Sequence, residues 1–189
     1  MRNYFQDDRF TGLNYSINEI GEEYDSCHFI NCNFSSADLS NVIFTECVFE
    51  NCNFSSVKIS NTSFQQVTFI SCKMLGLQFD ECNKFGLSFR FSECVLNHSG
   101  FYQSNIKNTQ FINCQLKQVD FTQADLTESV FDKCDLNSAI FEQTNLTSVN
   151  FQSADNFSID PTKNNIRKAK FSSTNIRGLL DCFDIHVES

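Results

Sequence analysis

From residue 29 onward the chain places a large apolar side chain at every fifth position. A first train reads Phe29, Phe34, Leu39, Phe44, Phe49, Phe54, Ile59, Phe64, Phe69, Met74 and Phe79. A second reads Phe91, Leu96, Phe101, Ile106, Phe111, Leu116, Phe121, Leu126, Phe131, Leu136, Phe141, Leu146 and Phe151. Two positions before each stands a small residue, such as Cys27, Cys32, Ala37, Val42, Thr62, Ser99 or Ala124, with Leu77 and Phe89 as bulky exceptions. The residues between are mostly Asn, Ser, Gln, Asp, Glu, Lys and Thr. A period of five matches neither the 3.6 of a helix nor the 2 of a strand. It matches a chain that turns a corner every five residues, with one large and one small residue inward per side. Four sides close a square of 20 residues, and stacked coils then pair like parallel strands about 4.8 Å apart. Each coil covers the next, and only the ends stay open.

The 20-residue spacing supports this reading. Phe29, Phe49 and Phe69 stack, as do Cys32, Cys52 and Cys72; Phe91, Phe111, Phe131 and Phe151 form another column, and Cys94, Cys114 and Cys134 another. Composition follows from the repeating slot: 22 Phe and 10 Cys, with no Trp and one Pro. Cysteines that share the small inward slot act as buried small hydrophobes. The thiols are expected to lie in separate columns, out of phase with His28, His98 and His186, so neither a metal site nor a cofactor is expected. The N-terminal residues lack the apolar core of a signal peptide, and no apolar run approaches the ~18 residues of a membrane span. A cytoplasmic protein with free thiols is the expectation.

The pentads Ala37-Asp38-Leu39-Ser40-Asn41, Ala124-Asp125-Leu126-Thr127-Glu128, Cys134-Asp135-Leu136-Asn137-Ser138 and Cys52-Asn53-Phe54-Ser55-Ser56 resemble the A-[DN]-L-x-x motif of the pentapeptide-repeat family. The resemblance covers roughly residues 24–155. It implies an all-β fold, a right-handed quadrilateral parallel β-helix, here with a short C-terminal helix. The repeated residues build the coil, so they say little about function.

Departures from the repeat are where function is sought. Residues 1–23 carry Phe5, Phe10, Tyr15 and Ile20 five apart but out of phase with Phe29, and Asp8 falls on an inward slot. They read as a loose first coil or end cover. Around 80–90, Phe79 and Phe91 are two residues too far apart, so a bulge or short loop must eject residues; Asn83, Lys84 and Phe85 are the candidate loop. Residues 156–189 read as a loop, a last coil and a terminal segment. There the phase fails at Asn156 and Pro161 and returns at Ile166 and Phe171. Ser173-Thr174-Asn175 offers a helix N-cap, Ile176–Phe183 reads as helical, and Ile185 and Val187 as a short strand. Leu179, Leu180, Phe183 and Ile185 are the candidate cap or dimer contacts. Family resemblance implies a twofold dimer through this end.

Net charge is −9. Residues 1–154 hold 18 acidic and 9 basic side chains, and residues 155–189 hold five of each, so the excess lies on the solenoid body. That opposes binding to nucleic acid, which needs basic tracks, and to anionic membranes. An acidic rod can instead occupy a protein's DNA channel. Quinolone-resistance and microcin-immunity members of the family imply such a role, with DNA gyrase or topoisomerase IV as protein partner. Six to seven coils would span about 30 Å, over which duplex DNA carries about 18 charges, twice the net charge here. Asp120, Asp125, Glu128, Asp132, Asp135 and Glu142 form the candidate acidic face. No phosphate-cradling glycine loop and no nucleophile–base set is visible, so an enzyme is not expected. The remaining readings are a topoisomerase-binding protection factor and a general protein-binding scaffold.

Overall fold

A computed structural model describes residues 3–183 and 185. The chain winds as a four-sided parallel β-solenoid. On its first side β1 (Tyr4–Gln6), β3 (Glu23–Asp25), β5 (Ile43–Thr45) and β7 (Ser63–Gln65) form a parallel sheet in that order. The second side is a seven-stranded sheet of β2 (Arg9–Thr11), β4 (His28–Ile30), β6 (Val48–Glu50), β8 (Val67–Ile70), β9 (Phe89–Ser92), β10 (Gln110–Ile112) and β11 (Val130–Asp132). The third and fourth sides are held by single parallel bridges, such as Asn33 to Asn53 and Gly100 to Asp120.

Register puts like on like. Phe29 pairs with Phe49, Phe49 with Phe69, Phe69 with Phe91 and Phe91 with Phe111. Their rings stack offset, with centroids 4.7 Å apart for Phe29 and Phe49 and 4.8 Å for Phe111 and Phe131. Adjacent columns meet edge to face, as Phe29 does Phe34 at 5.6 Å. Both geometries suit the aromatic quadrupole, so one square cross-section repeats without strain between columns.

The corners explain the polar residues. At most corners one residue in five, among them Asn31, Ser56, Gln103 and Glu128, has φ between 51° and 66°. Polar side chains such as Asn tolerate that region better than branched apolar ones. The Asp or Asn just before each large centre has its own task. Its carboxylate or amide oxygen accepts the backbone N–H two residues on: Ser35 to Asn33, Ser40 to Asp38, Thr122 to Asp120, Thr127 to Asp125 and Asn137 to Asp135. This is an Asx turn, and it accounts for the acidic or amide second position of the motif.

The small slot is equally specific. Thr62, Ser99, Ser129 and Thr144 donate their hydroxyls to carbonyls of the preceding coil, at Leu39, Met74, Ile106 and Phe121, over 2.7–3.2 Å. Cys52 and Cys72 direct their thiols likewise at Phe29 and Phe49. Burial pushes the Cys47 thiol up to about 12.

The thiols are less dispersed than expected: Cys27 and Cys47 form their own second-side column, but six others share one. The offset of 22 residues between β8 and β9 brings the two expected cysteine columns into line. Cys32, Cys52, Cys72, Cys94, Cys114 and Cys134 therefore form one column on the third side. Sequence spacing alone hid this because the extra two residues shift the count.

The first coil has 19 residues rather than 20: Phe5 pairs with Tyr24 and Phe10 with Phe29. The missing residue falls between Ile20 and Tyr24. Gly21 makes the short cut possible, since a Cβ there would lie 2.5 Å from the Phe5 ring, and its N–H bonds to the Tyr24 hydroxyl at 2.7 Å. Asp8 does occupy a small slot, but on the terminal coil, where it is exposed to water.

At the other end Phe157 and Ile159 turn inward in place of Asn156 and Pro161. The expected helix is instead two 3₁₀ turns, Ile176–Leu179 and Asp181–Phe183. Gly178 is a poor helix residue, and its packing forbids a side chain, with Phe157 O 2.3 Å from where a Cβ would stand. Asn175 stands at the N-cap of the first turn but makes no side-chain capping bond. Its Nδ2 donates to Phe151 O and Ala154 O at 2.8 and 3.0 Å, tying the end turns to the last coil. Ile185 is not in a strand, and Val187 lies outside the described residues.

Candidate protein-binding surface

The six carboxylates of the expected acidic face do not share one side. Asp125 projects from the first side and Glu128 from the corner after it; Asp132 lies on the second side, Asp135 on the third, and Asp120 and Glu142 on the fourth. Three of them are paired: Asp125 with Lys107 at 3.3 Å, Asp135 with Lys117 at 3.2 Å and Glu142 with Lys163 at 3.5 Å. Partial burial works against the charged form of Asp125, but hydrogen bonds from Thr127, Lys107 and Asn145 outweigh it and hold the carboxyl below its ordinary range. Asp135 follows the same balance, with Asn156, Lys117 and Asn137 as donors.

A different acidic surface runs along the fourth side. Outside the column of Leu39, Ile59, Phe79, Phe101, Phe121 and Phe141 stand Glu19, Asp38, Asp80, Glu81, Asp120 and Glu142, against Lys58 and Lys163. The opposite, second side carries Arg9, Arg90, Lys133 and Lys170 beside Glu50, Glu93 and Asp132. Charge is therefore segregated across the rod. The signal was present in the sequence as acids on either flank of the fourth-side centres Ile20, Leu39, Phe79, Phe121 and Phe141. Counting acids by proximity along the chain missed it.

At the candidate loop the chain makes a turn at Phe85 and Gly86. Lys84, Phe85 and Gly86 project from the first side, and Phe85 is 79% exposed. Asn83 anchors the loop base, bonding Ser63 Oγ at 3.0 Å and accepting the Phe85 N–H at 3.1 Å. Lys84 reaches Gln103 O at 3.5 Å, and Gly86 takes φ +69 above Gln65. A shallow groove of about 380 Å³ beside the loop is lined by Lys84, Leu87, Ser88, Asn105 and Lys107. Among the C-terminal candidates, Leu179 packs half-buried on the core. Leu180 is half-buried, and Phe183 and Ile185 are exposed at 49% and 55%.

Among the described residues no three His, Cys, Asp or Glu side chains converge as metal ligands, and no helix is long and apolar enough to cross a membrane. Filled side to side with rings and aliphatic chains, the interior leaves the outer surface, the loop and the two ends as places where a partner can act.

The architecture is thus that of a repeat solenoid presenting polar sides to a partner. The model of the pentapeptide repeat region matches residues 23–101, 87–155 and 104–179, and the chain belongs to the pentapeptide-repeat family. No curated protein matches it significantly. Among solved structures it is similar to a trypsin-treated form of QnrB1, a plasmid-mediated fluoroquinolone resistance protein. That match has a TM-score of 0.52 and 18% identity, covering 98% of this chain and 100% of the other. It is also similar to HetL, a pentapeptide-repeat protein involved in heterocyst differentiation regulation from the cyanobacterium Nostoc sp. strain PCC 7120. There the TM-score is 0.45 and the identity 16%, over 88% of this chain and 84% of that one.

Proposed function

We propose that this chain is a non-enzymatic protein-binding solenoid. In this reading its acidic fourth side takes the place of DNA on a type II topoisomerase such as DNA gyrase or topoisomerase IV. It would thereby protect the enzyme against quinolones or a gyrase-directed toxin. The observation that carries the reading is the run of carboxylates from Glu19 to Glu142 along the fourth side, opposite a second side whose charges nearly cancel. A basic DNA saddle attracts such a side and is indifferent to the opposite one. The fluoroquinolone resistance activity of QnrB1, a protein of the same fold, directs the choice of partner. The projecting Phe85 supplies an apolar anchor of the kind that dominates interfaces. Family resemblance adds a cytoplasmic location and a twofold dimer through Leu179, Leu180, Phe183 and Ile185.

A second reading, a scaffold for some other protein, is favoured by the lysine pairing. Asp38, Asp125, Asp135 and Glu142 each have a lysine beside them. The column from Phe10 to Phe171 is about 38 Å long at about 4.8 Å per coil. Duplex DNA of that length carries about 22 charges, well above the net −9 of this chain.

A gyrase supercoiling assay with and without a fluoroquinolone separates the two. The informative variant is Asp38→Asn, Asp80→Asn, Glu81→Gln and Asp120→Asn together, which removes charge and keeps the turn acceptors. Wild type that protects or inhibits, beside a variant that does neither, supports the mimic. A folded wild type without effect leaves the scaffold.

A further inference from the structure

We propose that the column of Cys32, Cys52, Cys72, Cys94, Cys114 and Cys134 is a linear binding site for monovalent soft metal ions of the Cu(I) class, each ion held between the sulfurs of successive coils. All six side chains are 2% exposed or less. The bridges Asn33–Asn53–Lys73–Val95–Gln115–Asp135 place them in strict register on the third side. Cys52, Cys72, Cys94 and Cys134 donate their thiols to Phe29 O, Phe49 O, Phe69 O and Phe111 O of the preceding coil, so each of these sulfurs points toward the coil before it.

The fold does not require this uniformity. The small slots of the other three sides are mixed: the second side runs Cys27, Cys47, Val67, Phe89 and Thr109, and the fourth Ala37, Val57, Leu77, Ser99 and Val119. Only the third side repeats cysteine through six coils.

Spacing decides what such a column can do. A disulfide brings Cβ atoms to about 3.5–4.5 Å, closer than the about 4.8 Å between in-register parallel strands. A metal–thiolate bond is about 2.3 Å long, so one ion with a sulfur on each side spans about 4.6 Å, close to the coil rise. Zinc takes four ligands, and each gap offers two sulfurs. Soft thiolates select Cu(I), and two sulfurs in line suit a two-coordinate ion.

The exchange balances without any change of oxidation state. Two thiols and one ion M⁺ give RS–M–SR⁻ and two protons, which leave to solvent. Filling the next gap adds one M⁺ and removes one further thiol proton. The column therefore stays at a single negative charge however many gaps are filled, which limits the cost of burial.

Silver(I), added as its nitrate, is the redox-inert probe. The background is Cys182→Ser, which removes the exposed thiol. Silver is titrated into folded protein and, separately, present during refolding from denaturant; bound ions are counted by native mass spectrometry. The comparison variant adds Cys72→Ser and Cys114→Ser. Serine already fills small slots at Ser99, Ser104 and Ser129, so the variant is expected to fold. It keeps only the Cys32–Cys52 gap of the five. The proposal predicts four fewer ions in the variant, with far-ultraviolet circular dichroism unchanged by loading in both proteins. Equal uptake, no uptake by either route, or uptake that accompanies loss of the β signal would overturn it.

Discussion

The ring of Phe89 lies 5.7 Å from that of Phe64, filling the first-side gap that the ejected loop leaves open. Phe89 occupies a small slot, opposite Val67 on the coil before, yet it also touches Phe69, Phe79 and Phe91 at 6.2, 5.1 and 5.3 Å. The centre that Lys84 cannot supply is provided by Phe89, with buried Leu87 beside it. What reads as two errors in the repeat, a charge in a large slot and a ring in a small one, is one compensated exchange.

Phe89→Ala is therefore expected to open a cavity spanning two columns and to cost about 3–5 kcal/mol. Phe85→Ser, on the exposed loop tip, is expected to change stability by less than about 0.5 kcal/mol. Urea denaturation of the two variants checks the contrast.

The same exchange leaves a mark on Thr109. Slot hydroxyls donate to the carbonyl 23 residues earlier, as Thr62 does to Leu39. For Thr109 that carbonyl belongs to Gly86, which the loop has carried away, and its Oγ1 is buried without a partner. Thr109→Val should be neutral or stabilising, whereas Thr62→Val should cost about 1 kcal/mol. Thermal melts of both would reveal the difference in sign.

The Asx turns predict a split between two substitutions at one site. Asp125→Asn keeps the oxygen that accepts Thr127 N–H and should be mild, while Asp125→Ala loses it and should cost about 1 kcal/mol. Acid should act through the same groups. Asp38 is held below its ordinary range by the Ser40 side chain and N–H, and Asp125 and Asp135 by their donors despite burial. A carboxyl lowered in the fold contributes stability above its unfolded value near 3.9, and that contribution is lost as pH falls through the lower folded value. Stability should hold from neutral to about pH 5 and drop below about 4. The drop should be shallower in Asp125→Asn with Asp135→Asn, measured by urea midpoints against pH.

The C-terminal end offers a test of assembly. Phe183 and Ile185 are exposed beside the 3₁₀ turns that cover the last coil. If they form the twofold contact, Phe183→Glu should convert a dimer to a monomer in light scattering without shifting the melt of the solenoid. A wild type that is already monomeric would remove the dimer from the proposal.

The body of the fold was legible because one slot recurs. Once Phe29, Phe34 and Leu39 set the phase, the sides, the register and the buried set followed. What escaped had a common physical cause: local changes of length. The four-residue step at Tyr24 depends on Gly21 fitting against Phe5, and the two-residue excess before Phe89 shifts the cysteine count. A linear reading shows neither. The helix expected at Ile176–Phe183 failed for a tertiary reason, the contact of Gly178 with Phe157. Likewise the acidic side could not be seen by scanning neighbours, because Asp38, Asp80 and Asp120 are close only once coiled.

The central functional claim is that the fourth side competes with DNA for a topoisomerase. Its most direct test is the fluorescence anisotropy of a labelled duplex bound to DNA gyrase, titrated with this protein at constant ionic strength. Mimicry predicts release of the duplex by wild type, with release weakened at least tenfold by the Asp38, Asp80, Glu81 and Asp120 neutralised variant. A duplex that stays bound while the protein binds gyrase beside it, or equal release by both proteins, would contradict the claim.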